Sequence, residues 1–529
     1  MRNEEVTMLF FDEDGNTRYI HVEAGSMQPE DLNPIVDDLT GTDVKNMVIG
    51  TSITVGTSDP RDSFRDFDPE KGMDQPYFRG KADIYAYRHA ANVVALRKMG
   101  VDSSSYLLKR AREKGMTAWI TVRMNDQHNT WDEQSRGRPK LWREHPELRT
   151  RTCAPQSGFS YEHAAVRDAF FNMVKTNLEF YDFDGIVLDW MRHVPHFDDG
   201  TGEHYIPLMN DYLRSIRNLV DSFAEKRKHR ILIACRIPAT VASAKYHGLD
   251  GVAWAKNGYV DRLIISPKYI RSYMLDASQW KKAIGIPGFP VTACIDTPYQ
   301  PYPGYPENTP AGTWTREPFD RRQLPFIRGA CRVALGNKSD GIYLFNFMNI
   351  RNRKKMIEIF DECGSREKLQ KKNFSIDISY DDLDMDEPNF LKGWRAPSND
   401  AYFSIWREKQ KDAGTYPYQL PQTLLPEQSC RFHFFTGEVP EKSPLIAFSF
   451  EGLDAAEVVF GTRRCEFKDG RFFMSLEQFT GDSADITVKN KSGHSVEILR
   501  ASMHFSWDGQ FPELYVPAKK TVIGVAAEI

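Results

Sequence analysis

"YDFDGIVLDWMRHVPHF", residues 181–197, changes character halfway along. Ile186, Val187 and Leu188 make the unbroken apolar run of a strand buried on both faces, and Asp189, Trp190, Arg192 and His193 follow at once. Groups this costly to bury collect where a buried strand opens onto a working surface. Runs of the same kind occupy 6–11, 46–52, 117–124, 230–237, 261–267, 289–296 and 340–347. Between most of them lie segments such as "AVRDAFFNMVKTNLEFY" and "LMNDYLRSIRNLVDSFAEKR", apolar at helical spacing. Eight such strand–helix units predict an α/β fold, a parallel (β/α)8 TIM barrel. An open doubly wound sheet is the competing arrangement, but no strand is followed by a Gly-rich phosphate loop. The stretch 56–90, rich in Asp, Arg and Gly, is expected as a long loop over the barrel mouth.

Beyond residue 365 the texture changes. "GSREKLQKKN" (364–373) reads as a polar linker, and the short β-type runs after it predict a C-terminal antiparallel β-sandwich. The expected division is a barrel over 1–365 and a β-sandwich over 366–529, which suits a 529-residue chain too long for one core. Lys and Arg (69) nearly balance Asp and Glu (73), so the net charge of −4 gives no general attraction to nucleic acid or an anionic membrane. No apolar run approaches the roughly 20 residues that span a bilayer. "MRNEEVTMLFF" lacks the features of an export signal, so a cytoplasmic location is expected of the chain as it stands, and a periplasmic or secreted one if a leader was removed. Seven scattered cysteines without a CxxC pair predict reduced, buried thiols.

In a barrel of this type chemistry sits at the C-terminal ends of the strands. Strand 3 ends in Arg123, Asn125, Asp126 and His128, and strand 4 in Asp189, Trp190, Arg192 and His193, with Glu203 and His204 in its loop. Strand 5 offers Arg236, strand 6 Lys268 and Tyr269, strand 7 Asp296, strand 8 Asn346 and Asn349, and strand 1 Asp12. Aromatic residues crowd the same loops: Trp131, Trp142, Trp190, Tyr299, Tyr302, Tyr305 and Trp314. Aromatic faces stack on sugar C–H groups while Asp, Asn, His and Arg bond the hydroxyls, so a carbohydrate partner is expected. His193, His196, Asp198 and Asp199 lack metal-ligand spacing and read as a solvated loop; no metal or other cofactor is expected. Lys268 leaves a Schiff-base aldolase or lyase as an outside alternative.

"FDGIVLDW" approaches the DGxDxDxE strand of chitinases, but Met191 stands where the terminal Glu belongs and Val187 where the central Asp belongs. The chain more closely resembles the family 10-like glycosyl hydrolases of polysaccharide-degrading bacteria. The stretches that carry the resemblance are "KMGVDSSSYLLKRAREKGM", "RMNDQH", "LWREHPEL", "FSYEHAAVRDAF", "FDGIVLDWMRH", "GLDGVAWAKNGYVDRLIISP" and "DGIYLFNFMN", in that order over most of 90–350. The resemblance implies an enzyme that cleaves a polysaccharide or oligosaccharide, with Asp126, His128, Asp189, Arg192 and the strand-7 acid in its cleft. That acid is Asp296 where a Glu is expected.

Glycoside hydrolysis needs two carboxyl groups flanking the scissile bond. Asp189 and Asp296 are the expected pair, with Glu203 in reserve if its loop folds back over the cleft. Asn125, Asp126, His128, Trp190, Arg192, His193, Arg236, Lys268, Tyr269 and Asn346 are expected to bind substrate. Arg123, Arg192, Arg236 and Lys268 suggest an anionic glycan, sulfated or uronate-bearing, since Arg forks match those groups. Internal salt bridges with Asp126 and Asp189 are the competing use of these cations. A non-catalytic carbohydrate-binding barrel is the alternative of a different class.

Overall fold

The computed structural model describes residues 8–13, 15, 17–19, 22–52, 72–73, 84–125, 139–151, 158–192, 196–198, 200–266, 275–296, 324–347, 357–379, 422–437, 444–453, 455–474, 483–498 and 500–512. Eight parallel strands close a barrel in chain order: β1 (Met8–Glu13), β2 (Val44–Ser52), β3 (Thr117–Arg123), β4 (Gly185–Asp189), β5 (Leu232–Pro238), β6 (Arg262–Ser266), β7 (Val291–Asp296) and β8 (Gly341–Phe345). Alternate residues face opposite sides of each strand, and both sides are buried. Phe10, Val48, Trp119, Val187, Ala234, Ile264, Cys294, Tyr343 and Phe345 fill the barrel interior. Ile186, Leu188, Cys235, Ile237, Leu263 and Ile265 point outward into the helical layer. Gly185 makes room inside: a Cβ there would lie 2.3 Å from the Trp119 ring. A helix covers most strand-to-strand crossings, the longest being Ala164–Phe180 and Ile206–Arg227. No helix among the described residues is long and apolar enough to cross a membrane.

The structure corrects one expectation near the mouth. The helix Ile84–Lys98 begins inside the stretch read as a loop. Its buried residues Ala90, Ala91, Asn92, Val93, Val94 and Leu96 wrap around the helix instead of forming one stripe, so helical periodicity is lost. Asn92 takes the place of an apolar anchor. Its Nδ2 donates to the carbonyls of Tyr19 (2.7 Å) and Val22 (3.1 Å), and its Oδ1 accepts from Gly25 N–H (2.8 Å).

The C-terminal strands are β9 (Phe374–Ser379), β10 (Gln422–Leu424), β11 (Ser429–Phe435), β12 (Leu445–Glu451), β13 (Ala456–Phe460), β14 (Arg463–Arg464), β15 (Glu466–Lys468), β16 (Arg471–Met474), β17 (Ser483–Asn490), β18 (Val496–Ile498) and β19 (Arg500–Ser506). They form antiparallel sheets in the orders β15-β16-β12-β19-β9 and β11-β17-β13-β14, with β10 and β18 as a separate pair. Phe432 and Phe434 on one sheet meet Phe450 and Phe448 on the other, each pair at 5.7 Å, which makes the two sheets a sandwich. The stretch 496–506 forms two strands, β18 and β19, which belong to different sheets. The sandwich rests on the barrel helix Leu324–Gly336: Arg332 lies 5.0 Å over the Phe374 ring, and a Cβ on Gly329 would meet the Ser375 carbonyl at 1.9 Å. Only glycine permits that approach.

Candidate active site

Strands β3, β4 and β5 remain paired up to their ends, with Met124 N–H on the Asp189 carbonyl (2.9 Å) and Trp190 N–H on the Arg236 carbonyl (3.0 Å). Their register sets Arg123 beside Asp189 and Asp189 beside Arg236, all on the inward side. Both members of the last pair are 2% exposed. Arg236 Nη1 lies 3.2 and 3.1 Å from the two Asp189 oxygens, and its Nη2 donates to Ser266 Oγ at 3.0 Å. Asp189 Oδ1 also accepts from the backbone N–H groups of Met191 (2.8 Å) and Arg192 (3.0 Å). Every one of these donors is an N–H, so among the described residues the carboxyl group acts as an acceptor. The guanidinium of Arg236 sits 3.8 Å over the Phe345 ring, and that of Arg192 lies 5.5 Å from the same ring.

A second carboxylate, Asp12 at the end of β1, is fully buried and accepts a hydrogen bond from Tyr343 on β8. Burial first, then the charge and hydrogen bond of Asp12 and the charge of Asp189, push the Tyr343 phenol well above its ordinary value, while Arg236 pulls the other way. Asp12, Tyr343, Asp189 and Arg236 therefore share one electrostatic environment. Asp296 is the last residue of β7, in register with Phe345; its side chain lies outside the described residues.

The remaining expected residues divide in three. Asp126, His128, His193, Lys268 and Tyr269 lie outside the described residues. Arg192 is half-buried beside Asp189, and Asn346 follows Phe345 with a left-handed φ of 64°, a conformation Asn tolerates better than most residues. Two others are corrected. Trp190 does not line the cleft: it is fully buried on the outward side, packed edge-on to Tyr161 (5.2 Å) and His196 (5.2 Å) and tilted against Trp254 (6.3 Å). The reason is strand parity, since it follows an inward-facing Asp189. Asn125 is also fully buried, with Nδ2 on the Phe159 carbonyl (3.1 Å) and Oδ1 on the Phe159 N–H (3.3 Å), so its amide fastens the end of β3. Glu203 is exposed on the helical turn Gly202–Tyr205, where Gly202 packs against the backbone of Tyr246 and Gly248.

Two of the aromatics expected in mouth loops, Trp142 and Trp190, are core residues. His196 is likewise no part of a solvated loop: fully buried, it donates from Nε2 to the Trp190 carbonyl at 3.0 Å. Sequence reasoning passed over Ser266, Tyr343 and Phe345. The signal was available, since each stands two residues from another inward residue on its own strand.

No protein-family model and no curated protein matches the chain. Among solved structures, the chain is similar to an Anoxybacillus alpha-amylase (10% identity, TM-score 0.35, covering 93% of this chain and 99% of that one). It is also similar to a noncanonic maltogenic alpha-amylase from Thermotoga neapolitana (13%, TM-score 0.34, 94% and 100%). A third is a GH36 alpha-galactosidase from Geobacillus stearothermophilus in complex with stachyose (11%, TM-score 0.34, 94% and 55%).

Proposed function

We propose that this chain is a glycoside hydrolase of the family 10-like kind, cleaving an O-glycosidic bond in a polysaccharide or oligosaccharide. The observation that carries the reading is Asp189: an acceptor-only carboxylate, rigidly held at the C-terminal end of β4, where barrels of this type work. A glycosidase needs one such ionised carboxylate and one that is protonated. Asp189 takes the first role, stabilising positive charge as it develops at the anomeric carbon. Asp296, the terminal residue of β7, takes the second. As the glycosidic bond breaks, the leaving oxygen keeps the bonding pair and takes the proton from Asp296. A water oxygen then bonds the anomeric carbon, and its released proton restores the acid.

The substrate we propose is anionic. Arg192 keeps part of its surface accessible beside Asp189, and a guanidinium there suits a sulfate or a uronate carboxylate. The test is reducing-end release from neutral, uronate-bearing and sulfated glycans, native and desulfated, comparing wild type with Asp189→Asn. Release by wild type alone supports the hydrolase and names the glycan. Indifference to desulfation and to uronate content removes the anionic part. Glycan binding without release, in both proteins, would replace the enzyme by a carbohydrate-binding barrel.

A further inference from the structure

Two arginines approach one ring, but they are not equivalent. Arg192 is half-buried with its guanidinium 5.5 Å from Phe345, whereas Arg236 is 2% exposed and 3.8 Å from it. We infer that Arg236 is a positioning residue for Asp189 and not a ligand of the sugar, an inference that rests on the hydrolase reading above. From β5 the side chain is fixed by three other strands. Its edge meets the Asp189 carboxylate of β4 and the Ser266 hydroxyl of β6, and its face lies on Phe345 of β8. Edge and face contacts together define the plane of the guanidinium, and through it the plane of the carboxylate.

The consequence is an asymmetry between the two carboxylate oxygens. Among the described residues, Oδ1 takes three donors, from Met191 N–H, Arg192 N–H and Arg236. Oδ2 takes Arg236 alone. Oδ2 is thus the oxygen left with a lone pair for the reacting carbon, and Arg236 decides where that lone pair points. Lysine would supply the charge without the planar fork or the stacked face, so it should restore the electrostatics and only part of the geometry.

The experiment uses the full chain and the glycan identified by the release panel. Arg236→Gln should lower kcat roughly 100-fold with KM within about threefold, because an interaction that aligns Asp189 matters chiefly in the transition state. Arg236→Lys should recover about tenfold of the lost kcat, again with KM little changed. Ser266→Ala removes one anchor without unpairing a buried charge; it should lower kcat at unchanged KM by a smaller factor, and it carries the test if Arg236→Gln does not fold. A raised KM with unchanged kcat would make Arg236 a substrate ligand and overturn the inference. So would kcat as low in the lysine variant as in the glutamine variant. A wild type inert on every glycan would sink the hydrolase reading and this inference together, whereas active wild type with kcat unchanged in the folded variants sinks this one alone.

Discussion

Among the described residues, two arginine–carboxylate pairs are almost fully buried in this barrel, Glu13–Arg18 and Asp189–Arg236, with side-chain exposures of 1%/1% and 2%/2%. Burial and charge cannot tell them apart. Their side of the strand can. Glu13 follows the inward Asp12 and so faces outward, where Arg18 also reaches Gly50 O (3.0 Å), Ser104 Oγ (3.3 Å) and Ser103 Oγ (3.4 Å). That pair ties β1 and β2 to the helix Ser103–Glu113. Burial opposes the Arg18 charge, yet Glu13 and its neighbours outweigh it and hold the guanidinium above its ordinary value. Asp189 and Arg236 face the barrel axis at the ends of β4 and β5. A buried ion pair is weak evidence of stability, and the strand face it occupies is what distinguishes one pair from the other here.

The contrast breaks most visibly under neutralisation. Asp189→Asn should cut turnover of the identified glycan by about 10³-fold or more, as loss of a principal catalytic carboxylate does. Glu13→Gln should leave turnover per folded molecule unchanged and lower unfolding free energy by roughly 3–5 kcal/mol, the usual result of stranding one buried charge. Denaturant titration and single-substrate kinetics on both variants check this. A Glu13→Gln protein of native stability and lost kcat would erase the distinction between outward and inward pairs.

Much of the fold was legible because barrel strands buried on both faces are continuous apolar runs, and helices ending in glycine punctuate them. β3, read as 117–124, is Thr117–Arg123, and β6, read as 261–267, is Arg262–Ser266. The candidate site was less legible, because proximity to a strand end says nothing of the direction a side chain takes. Asp189 and Trp190 are neighbours in sequence and opposite in orientation. Parity counted from Val187 would have sent Trp190 outward. Trp190→Ala should therefore act as a core truncation, costing about 3–5 kcal/mol of stability. KM of the folded protein should not change; a raised KM with native stability would return Trp190 to the cleft. Asn125→Ala should cost less, about 1–3 kcal/mol, for the unpaired Phe159 backbone groups it leaves behind. Calorimetric melting of the two variants would rank them, and the reverse order would contradict the packing described for Trp190.

The sandwich holds a third kind of buried polar group, one that burial keeps neutral. His504 is 3% exposed on β19, with Ser375 Oγ 2.9 Å from Nδ1, Ser449 Oγ 2.8 Å from Nε2, and the ring of Phe326, from the barrel helix, 6.2 Å away. Burial, and then the charge of Arg471, push its imidazole from an ordinary 6.5 down to about 3. The folded value lies below the unfolded one, so on acidification the unfolded chain takes up its proton first. Stability due to neutral His504 is then complete above about pH 6.5 and is lost as pH falls toward 3, by at most about 1.4 kcal/mol per pH unit. Melting curves from neutral pH to about pH 4 should fall less steeply for His504→Asn than for wild type, although the variant starts lower. Parallel curves would assign the acid loss to carboxylates such as Asp37, which its hydrogen bond to Arg110 holds below the ordinary range. The sandwich contact with the barrel helix would then have no share in the pH response.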